Sequence, residues 1–471
     1  MANIKIMLIE PPPMSQFGEL RTLGSIGSMK ADIKWPPLDL MIIAGLLRKH
    51  NINSVILDAN SLRISFSDVK EIIIEQKPDC VIFTTSTPTF FHDMQLADLV
   101  KNVSKKIYTG VTSTHINALP TEPFKISKNI DFAFPHESEL SILNLIKTDF
   151  CPETVEGIVY KKNNQIIQNG NPPICDNLDE FGIPSHDLVP LKVYKDPFTK
   201  ERPITATYAS RGCINNPPCI MCSACFYNYD RYRSVEILIE EMLFLKDIGV
   251  KEIRFPFDSG FNNTEIAMKL FDRMIQEKIN LKFTCNARAD NLPFDLILKM
   301  KEAGCKAICI GCESANPDIL KFMRKNESIY QVQETVNNIK KAGIQVLVYF
   351  IFGLPLETNK TILETLNFAK KINADLVTFG IAIPHPGTAF YDYLENNKYL
   401  LTHDWSKYNP LFPPPYSYPE LSSDEIYNAA LKAYRSYYFR PIIVINRLIR
   451  GNLLQNISNF IGFLKRYVSK K

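Results

Sequence analysis

Nothing in this chain approaches the ~20-residue apolar run that a membrane-spanning helix needs. Nor is there a surplus of one charge: 54 Lys and Arg face 50 Asp and Glu, a net of +4. So small an excess does not argue for a nucleic-acid partner. The opening run, Met1 to Glu10, goes straight into β-rich sequence without the layout of a secretory signal. With no sign of secretion, disulfides have little support, and the expected location is cytoplasmic. What remains is an ordinary globular composition, 45% hydrophobic and 22% charged over 471 residues, long enough for two or three cored domains.

The unusual feature is a crowd of cysteines. Of eleven, four fall in one short stretch, Cys213, Cys219, Cys222 and Cys225. A core accepts single thiols (Cys80, Cys285 and Cys309 read that way) but gives no reason to cluster them. Thiolates this close repel one another unless a metal neutralises them. Structural zinc usually draws on two separated knuckles, whereas an iron–sulfur cluster takes closely spaced cysteines from one loop. The spacing therefore predicts a cluster.

Around this loop strands and helices alternate. Apolar β-rich runs at 4–9, 54–57, 80–84, 106–108 and 130–134 are separated by helical patterns near 40–48, 67–76 and 91–104, which predicts a parallel, doubly wound sheet. Ligands of such sheets sit beyond the carboxyl ends of the strands. Residues 150–200 read as a connector rich in turn residues. From 204 six more strands follow, at 204–208, 252–257, 282–285, 307–310, 346–352 and 376–382. Each ends in a polar or glycine-bearing loop, as in an open, partial (β/α) barrel. Residues 396–430 read as a second connector and helical pattern returns at Ser423. The segment Arg440–Lys471 carries seven Lys or Arg and no Asp or Glu among apolar residues. It reads equally as a strip lying on an anionic membrane surface and as a helix packed on the barrel.

The ordered motifs resemble those of the radical S-adenosylmethionine (SAM) enzymes, in the subgroup with an N-terminal cobalamin (B12)-binding-type domain. Ser210-Arg211-Gly212-Cys213 opens the family's cysteine pattern, here as C-x5-C-x2-C. Asn286-Ala287-Arg288-Ala289-Asp290, Ile310-Gly311-Cys312-Glu313-Ser314, Gly353-Leu354-Pro355-Leu356-Glu357-Thr358 and Pro384-His385-Pro386-Gly387-Thr388 follow in family order. Trp35-Pro36-Pro37-Leu38 through His50 resembles the start of the N-terminal domain. Its later motifs appear only as Gly110-Val111-Thr112-Ser113 and His136-Glu137-Ser138-Glu139. No D-x-H-x-x-G is present to offer a histidine to cobalt, and His115 reads as a solvated loop residue.

The resemblance implies a Rossmann-like domain over 1–145, a connector over 146–200, a radical SAM barrel over 201–395 and a helical, basic amphipathic segment over 396–471. It implies a [4Fe–4S] cluster on Cys213, Cys219 and Cys222, with the fourth iron open to SAM. The triple Cys219, Cys222 and Cys225 is the alternative, disfavoured because Ser-Arg-Gly precedes Cys213 and Met221 stands where an apolar residue meets the adenine. Asp258 and Ser259 would approach the SAM amine, Arg288 and Glu313 its carboxylate and ribose, and Gly353 and Pro355 the adenine edge. Against these stand plainer roles, Arg288 paired with Asp290 and Gly353 capping a strand. Cobalamin is an expected further cofactor, and a ferredoxin- or flavodoxin-type reductant an expected partner. The implied activity is cleavage of SAM to a 5′-deoxyadenosyl radical that takes hydrogen from an unactivated carbon of a hydrophobic substrate. The degraded cobalamin motifs and the basic tail favour ring or carbon–carbon bond formation on a membrane lipid, as in archaeal tetraether-lipid ring synthases, with peripheral membrane contact. The alternatives are a cobalamin-dependent C-methyltransferase and a noncatalytic iron–sulfur or cobalamin-binding protein.

Overall fold

The computed structural model describes all residues except 1–3, 22–26, 29–32, 197–200, 228, 257–260, 262 and 442–471. The expectations for Asp258, Ser259 and most of the basic tail therefore lie outside the described residues.

The first sheet is built on β1 (Lys5–Glu10), β2 (Asn53–Asp58), β3 (Cys80–Thr84), β4 (Tyr108–Thr112) and β5 (Phe132–Phe134), paired in parallel in the order β2-β1-β3-β4-β5. Alternation along β1 explains why both faces are covered. Met7 and Ile9 pack with Val69 and Ile73 of α2 (Phe66–Gln76) and Ala97 and Val100 of α3 (Gln95–Val103). Ile6 and Leu8 face the other way, onto α1 (Leu38–Lys49) and α4 (Ser138–Lys147). The sheet is doubly wound, as the strand–helix alternation implied. One strand starts later than expected: the run placed at 106–108 is Tyr108–Thr112, in register with Phe132–Phe134.

The first connector is only partly a connector. Ile158–Lys162 (β6) and Gln165–Asn169 (β7) form a hairpin that extends the sheet antiparallel from β5. Its turn is Asn163-Asn164, with φ of 50° and 66°, the left-handed pair that two-residue hairpins require. The chain then lies along α1, with the Ser185 amide bonded to the Met41 carbonyl at 2.9 Å.

The second sheet holds six parallel strands in sequence order: β8 (Ile204–Ala206), β9 (Glu252–Phe255), β10 (Lys282–Ala287), β11 (Cys305–Glu313), β12 (Gln345–Phe352) and β13 (Leu376–Ile381). Ile253, Phe283, Ile308, Val348 and Phe379 point outward into the helical layer. The alternate residues line the concave side, where Ala307, Cys309 and Leu347 pack with Tyr349 and Leu376. This open partial barrel is the expected one.

The second connector also packs. Tyr408, Tyr416 and Leu421 are fully buried, and Tyr416 donates to the carbonyls of Gly353 (2.8 Å) and Ala382 (2.9 Å), tying β12 to β13. A helix, Ser423–Tyr438, starts with a Ser422–Glu425 capping box and lays Tyr434 and Tyr437 against Phe379. Among the described residues no helix is long and apolar enough to cross a membrane.

Candidate active site and cofactor recess

The cysteine loop leaves β8 through a two-residue ladder, Ser210–Arg211 against Arg231–Tyr232. Gly212 has φ +89°, and a Cβ there would stand 2.2 Å from the Tyr229 carbonyl oxygen, so only glycine lets the ladder turn into Cys213. Within the loop three thiols are met by N–H groups. The Asn215 amide points at Cys213 Sγ (3.5 Å), Asn215 Nδ2 at Cys219 Sγ (3.5 Å) and the Ala224 amide at Cys222 Sγ (3.4 Å). Two thiols also donate, Cys219 Sγ to the Arg324 carbonyl at 3.7 Å and Cys225 Sγ to the Gly387 carbonyl at 3.6 Å.

All eleven cysteines are free thiols, which removes the disulfide reading. Cys222 keeps one face open to solvent, but burial on its other side, followed by Cys219, Cys213 and Cys225, pushes its thiol up to about 12. Burial raises Cys219 as well, with Glu313 and Cys213 adding to the rise and Lys325 and Arg288 opposing it. Thiols that discourage one another's ionisation this way become good ligands once a cation is present. Among the described residues no three His, Cys, Asp or Glu side chains close on a single metal ion.

Facing the loop is a wall that the motifs did not mark. After β11 the chain returns at residues 323–327 and bonds to the cysteine loop repeatedly. The Ile220 amide donates to the Met323 carbonyl (3.2 Å), Asn215 Nδ2 to the Arg324 carbonyl (2.7 Å) and Asn326 Nδ2 to Asn215 Oδ1 (2.7 Å). Between loop and wall lies a charged group. Arg288 reaches Asp290 at 2.6 Å and Glu327 at 3.2 Å, and Lys325 reaches Glu313 at 3.3 Å and Glu327 at 3.7 Å. Glu313 has φ +63°, strained for a side-chain-bearing residue. Three buried carboxylate oxygens, Glu313 Oε2 and both of Glu327, have no hydrogen-bond partner among the described residues. Burial raises the Glu327 carboxyl, although Lys325 and Arg288 pull it down. The sequence motifs single out Arg288 and Glu313 but not Lys325, Glu327 and Asn215, which carry no local motif.

The other named residues scatter. Arg288 does pair with Asp290, as the plainer reading held, while also facing Glu327. Gly353 ends β12 with φ +83°, its amide held by Glu357 and its carbonyl by Tyr416 and Tyr418. That is the strand cap expected on the plainer reading. Pro355 is buried in the same turn, and Met221 is half-buried against the core.

Beyond the carboxyl ends of β3 and β4 lies a small recess of about 30 Å³, open to solvent and lined by Thr84, Thr112, Ser113, Asn117 and Glu139 from the first domain and by Arg211 and Tyr227 from the cysteine loop. The recess and the cysteine loop are thus neighbours. Glu139 Oε2 is buried there without a hydrogen-bond partner among the described residues. A hydroxyl-rich wall with an orphaned acceptor fits the amide-bearing rim of a corrin. His115 is not solvated, contrary to expectation. It is 1% exposed, with Nδ1 at 3.2 Å from Thr87 Oγ1 and Nε2 at 3.1 Å from Glu122 Oε2, so neither nitrogen is offered to a metal.

Two family models match the chain, the B12 binding domain over residues 25–142 and the radical SAM superfamily over residues 207–369. An uncharacterized methyltransferase of Pyrococcus horikoshii, PH0819, is 32% identical over 96% of this chain and 99% of its own. The anaerobic magnesium-protoporphyrin IX monomethyl ester cyclase of Rubrivivax gelatinosus is 25% identical over 86% of this chain and 74% of its own. The structure of the radical SAM methyltransferase TsrM of Kitasatospora setae, with cobalamin and a [4Fe–4S] cluster bound, superposes with a TM-score of 0.65 over 83% of this chain and 78% of that one, at 14% identity. With a near-full-length relative and both domain models in the same order, the chain belongs to the radical SAM enzymes that carry an N-terminal B12-binding domain, and its cofactors are a [4Fe–4S] cluster, SAM and cobalamin.

Proposed function

We propose that this enzyme is a cobalamin-dependent C-methyltransferase, in place of the lipid ring synthase favoured by the sequence motifs. The observation that carries the reading is the adjacency of the recess to the cysteine loop across Arg211 and Tyr227. A methyl carrier in the recess would sit beside the radical source, and the full-length relative PH0819 is named a methyltransferase. When bound, the cluster and SAM supply one-electron cleavage to the deoxyadenosyl radical, and cobalamin supplies the methyl group.

The chain's own residues hold and shield these groups. Cys213, Cys219 and Cys222 hold the iron, with the N–H groups of Asn215 and Ala224 stabilising their thiolates. Arg288 and Lys325 place positive charge beside those thiolates and bind the SAM carboxylate, and Glu313 takes its ribose. Glu139 with the Thr84, Thr112 and Ser113 hydroxyls holds the corrin rim. Tyr416 and Tyr418 close the turn at Gly353 and keep water from that side of the barrel. A low-potential one-electron donor supplies the reductant.

The test is anaerobic reconstitution of the full chain, followed by metal analysis and incubation with reductant and SAM bearing a deuterated methyl group. Bound cobalt, S-adenosylhomocysteine and 5′-deoxyadenosine together support methyl transfer. Deoxyadenosine alone, from protein that binds no cobalt, would return the assignment to bond or ring formation, the chemistry named for the Rubrivivax cyclase relative.

A further inference from the structure

The flanks of the cysteine loop are fastened to the first domain. On the entering side, Arg211 makes a buried ion pair with Glu139 and lies 3.7 Å from Glu137, its guanidinium over the rings of Phe181 and Tyr208. On the leaving side, Arg231 clasps Glu137 with both terminal nitrogens and donates to the Cys175 carbonyl at 2.6 Å. Between the two, Phe226 stands edge-on to His136 with ring centroids 6.0 Å apart. Both glutamates come from the start of α4, which rises from the floor of the recess.

These four charges are 4–8% exposed at the side chain, so removing any one strands its partner in a low-dielectric site. Two arginines balance two glutamates. Even so, Glu139 Oε2 is left without a hydrogen-bond donor, while its other oxygen is engaged by Arg211. The quartet is neutral in itself, so a neutral N–H or O–H can complete Oε2 without unbalancing it, beside the Asp39 and His136 that also line the recess. The recess that Glu139 lines is furnished for such a ligand, with Thr84, Thr112, Ser113, Thr114 and Asn117 around it. A corrin ringed with primary amides has the matching donors.

We propose that Glu139 couples the recess to the cluster loop: one oxygen takes an amide N–H of cobalamin, the other holds Arg211 two residues ahead of Cys213, and the two cofactors therefore bind cooperatively. This rests on the reading of the recess as a cobalamin site. A ligand on Oε2 fixes the carboxylate, the fixed carboxylate orients Arg211, and only Gly212, packed against the Tyr229 carbonyl, separates Arg211 from Cys213. Coupling is reciprocal, so a formed cluster must tighten cobalamin by the factor that cobalamin tightens the cluster.

The experiment is a four-cell cycle on the full-length chain. Hydroxocobalamin affinity is measured by equilibrium dialysis for wild type and Glu139→Gln, each with the cluster reconstituted and with iron removed by chelation. In wild type the cluster is expected to tighten hydroxocobalamin roughly fivefold or more, the lower end of typical coupling factors. In Glu139→Gln, at unchanged iron loading, the ratio should fall toward one. Equal ratios in the two proteins, or a ratio of one in wild type, would overturn the proposal. If Glu139→Gln does not fold, Arg211→Lys carries the same expectation, since it keeps the charge but loses the fork that grips Glu139. Failure of the underlying reading looks different: wild type then binds no hydroxocobalamin with or without iron.

Discussion

The four clustered thiols are chemically unequal, and the inequality can be tested one residue at a time. Cys213, Cys219 and Cys222 each receive an N–H from another residue, whereas the contact of Cys225 is its own S–H to the Gly387 carbonyl; Cys219 donates as well, to the Arg324 carbonyl. Hydrogen bonds to sulfur favour the thiolate that metal binding needs. Asp392 acts the other way on Cys225 and, behind burial, raises its thiol further. Alanine at Cys213, Cys219 or Cys222 should therefore abolish the cluster, dropping iron from about four per chain to near zero. Cys225→Ala should keep it. Iron and sulfide analysis after reconstitution, with the absorbance of the oxidised cluster, reads the result. A cluster kept by Cys213→Ala and lost by Cys225→Ala would reverse the assignment.

At the scale of elements, the turn after β12 shows how a loop that resembles a cofactor motif is also a piece of architecture. Glu357 is 4% exposed, and its carboxylate accepts from the Gly353 amide while its other oxygen has no partner. Burial pushes this carboxyl up to about 8, against the pull of the Gly353 and Leu354 amides. An acid whose folded pKa is raised binds its proton more tightly in the folded state. Its stabilising contribution is then full below the unfolded value of 4.5 and declines as pH rises toward about 8. Glu357→Gln removes that decline, so its melting temperature relative to wild type should improve between pH 5 and pH 8. The ceiling is about 1.4 kcal/mol per pH unit. A gap that stays constant across that range would mean Glu357 is ionised in the folded protein. Elements of this kind were legible where their signal is local. Alternation gave both parallel sheets, and glycine after a strand marked the turn at Gly353. The hairpin Ile158–Lys162/Gln165–Asn169 was also written locally, as two adjacent asparagines between short strands, but the surrounding prolines drew it into a connector. Lys325, Glu327 and Asn215 left no such trace, because their partners lie far along the chain and only folding brings 213–222 against 323–327. His115 misled for the same reason: a histidine in a polar loop looks solvated until Thr87 and Glu122 are brought to its two nitrogens.

For the molecule as a whole, the seam between the two sheets matters more than either sheet alone. One apolar cluster runs without a break from Met7 and Phe83 of the first sheet to Ile308 and Phe350 of the second. Beside it, a buried polar knot joins the connecting segment to the barrel. His186 places Nδ1 at 2.8 Å from Thr205 Oγ1 and Nε2 at 2.8 Å from Glu241 Oε1, and Glu241 also holds Arg233. Burial works against the Glu241 carboxylate, but Arg233 and His186 together hold it down to about 2. A depressed folded pKa gives stability that is present above the unfolded value of 4.5 and is lost as pH falls toward about 2. Glu241→Gln removes the charge and leaves Arg233 buried without its counter-ion, a cost of roughly 3–5 kcal/mol. At about 2.1 cal/mol/K of unfolding entropy per residue, a chain this long should lose on the order of 3–5 °C of melting temperature at pH 7. Because the connecting segment binds both sheets, wild type should melt in a single calorimetric transition. The gap between wild type and Glu241→Gln should narrow as the pH is lowered from 7 to 3.5, where the wild-type carboxylate loses its advantage. Two separate transitions in wild type would mean that the continuous core does not make one cooperative unit. An equal gap at both pH values would mean that Glu241 contributes by shape rather than by charge.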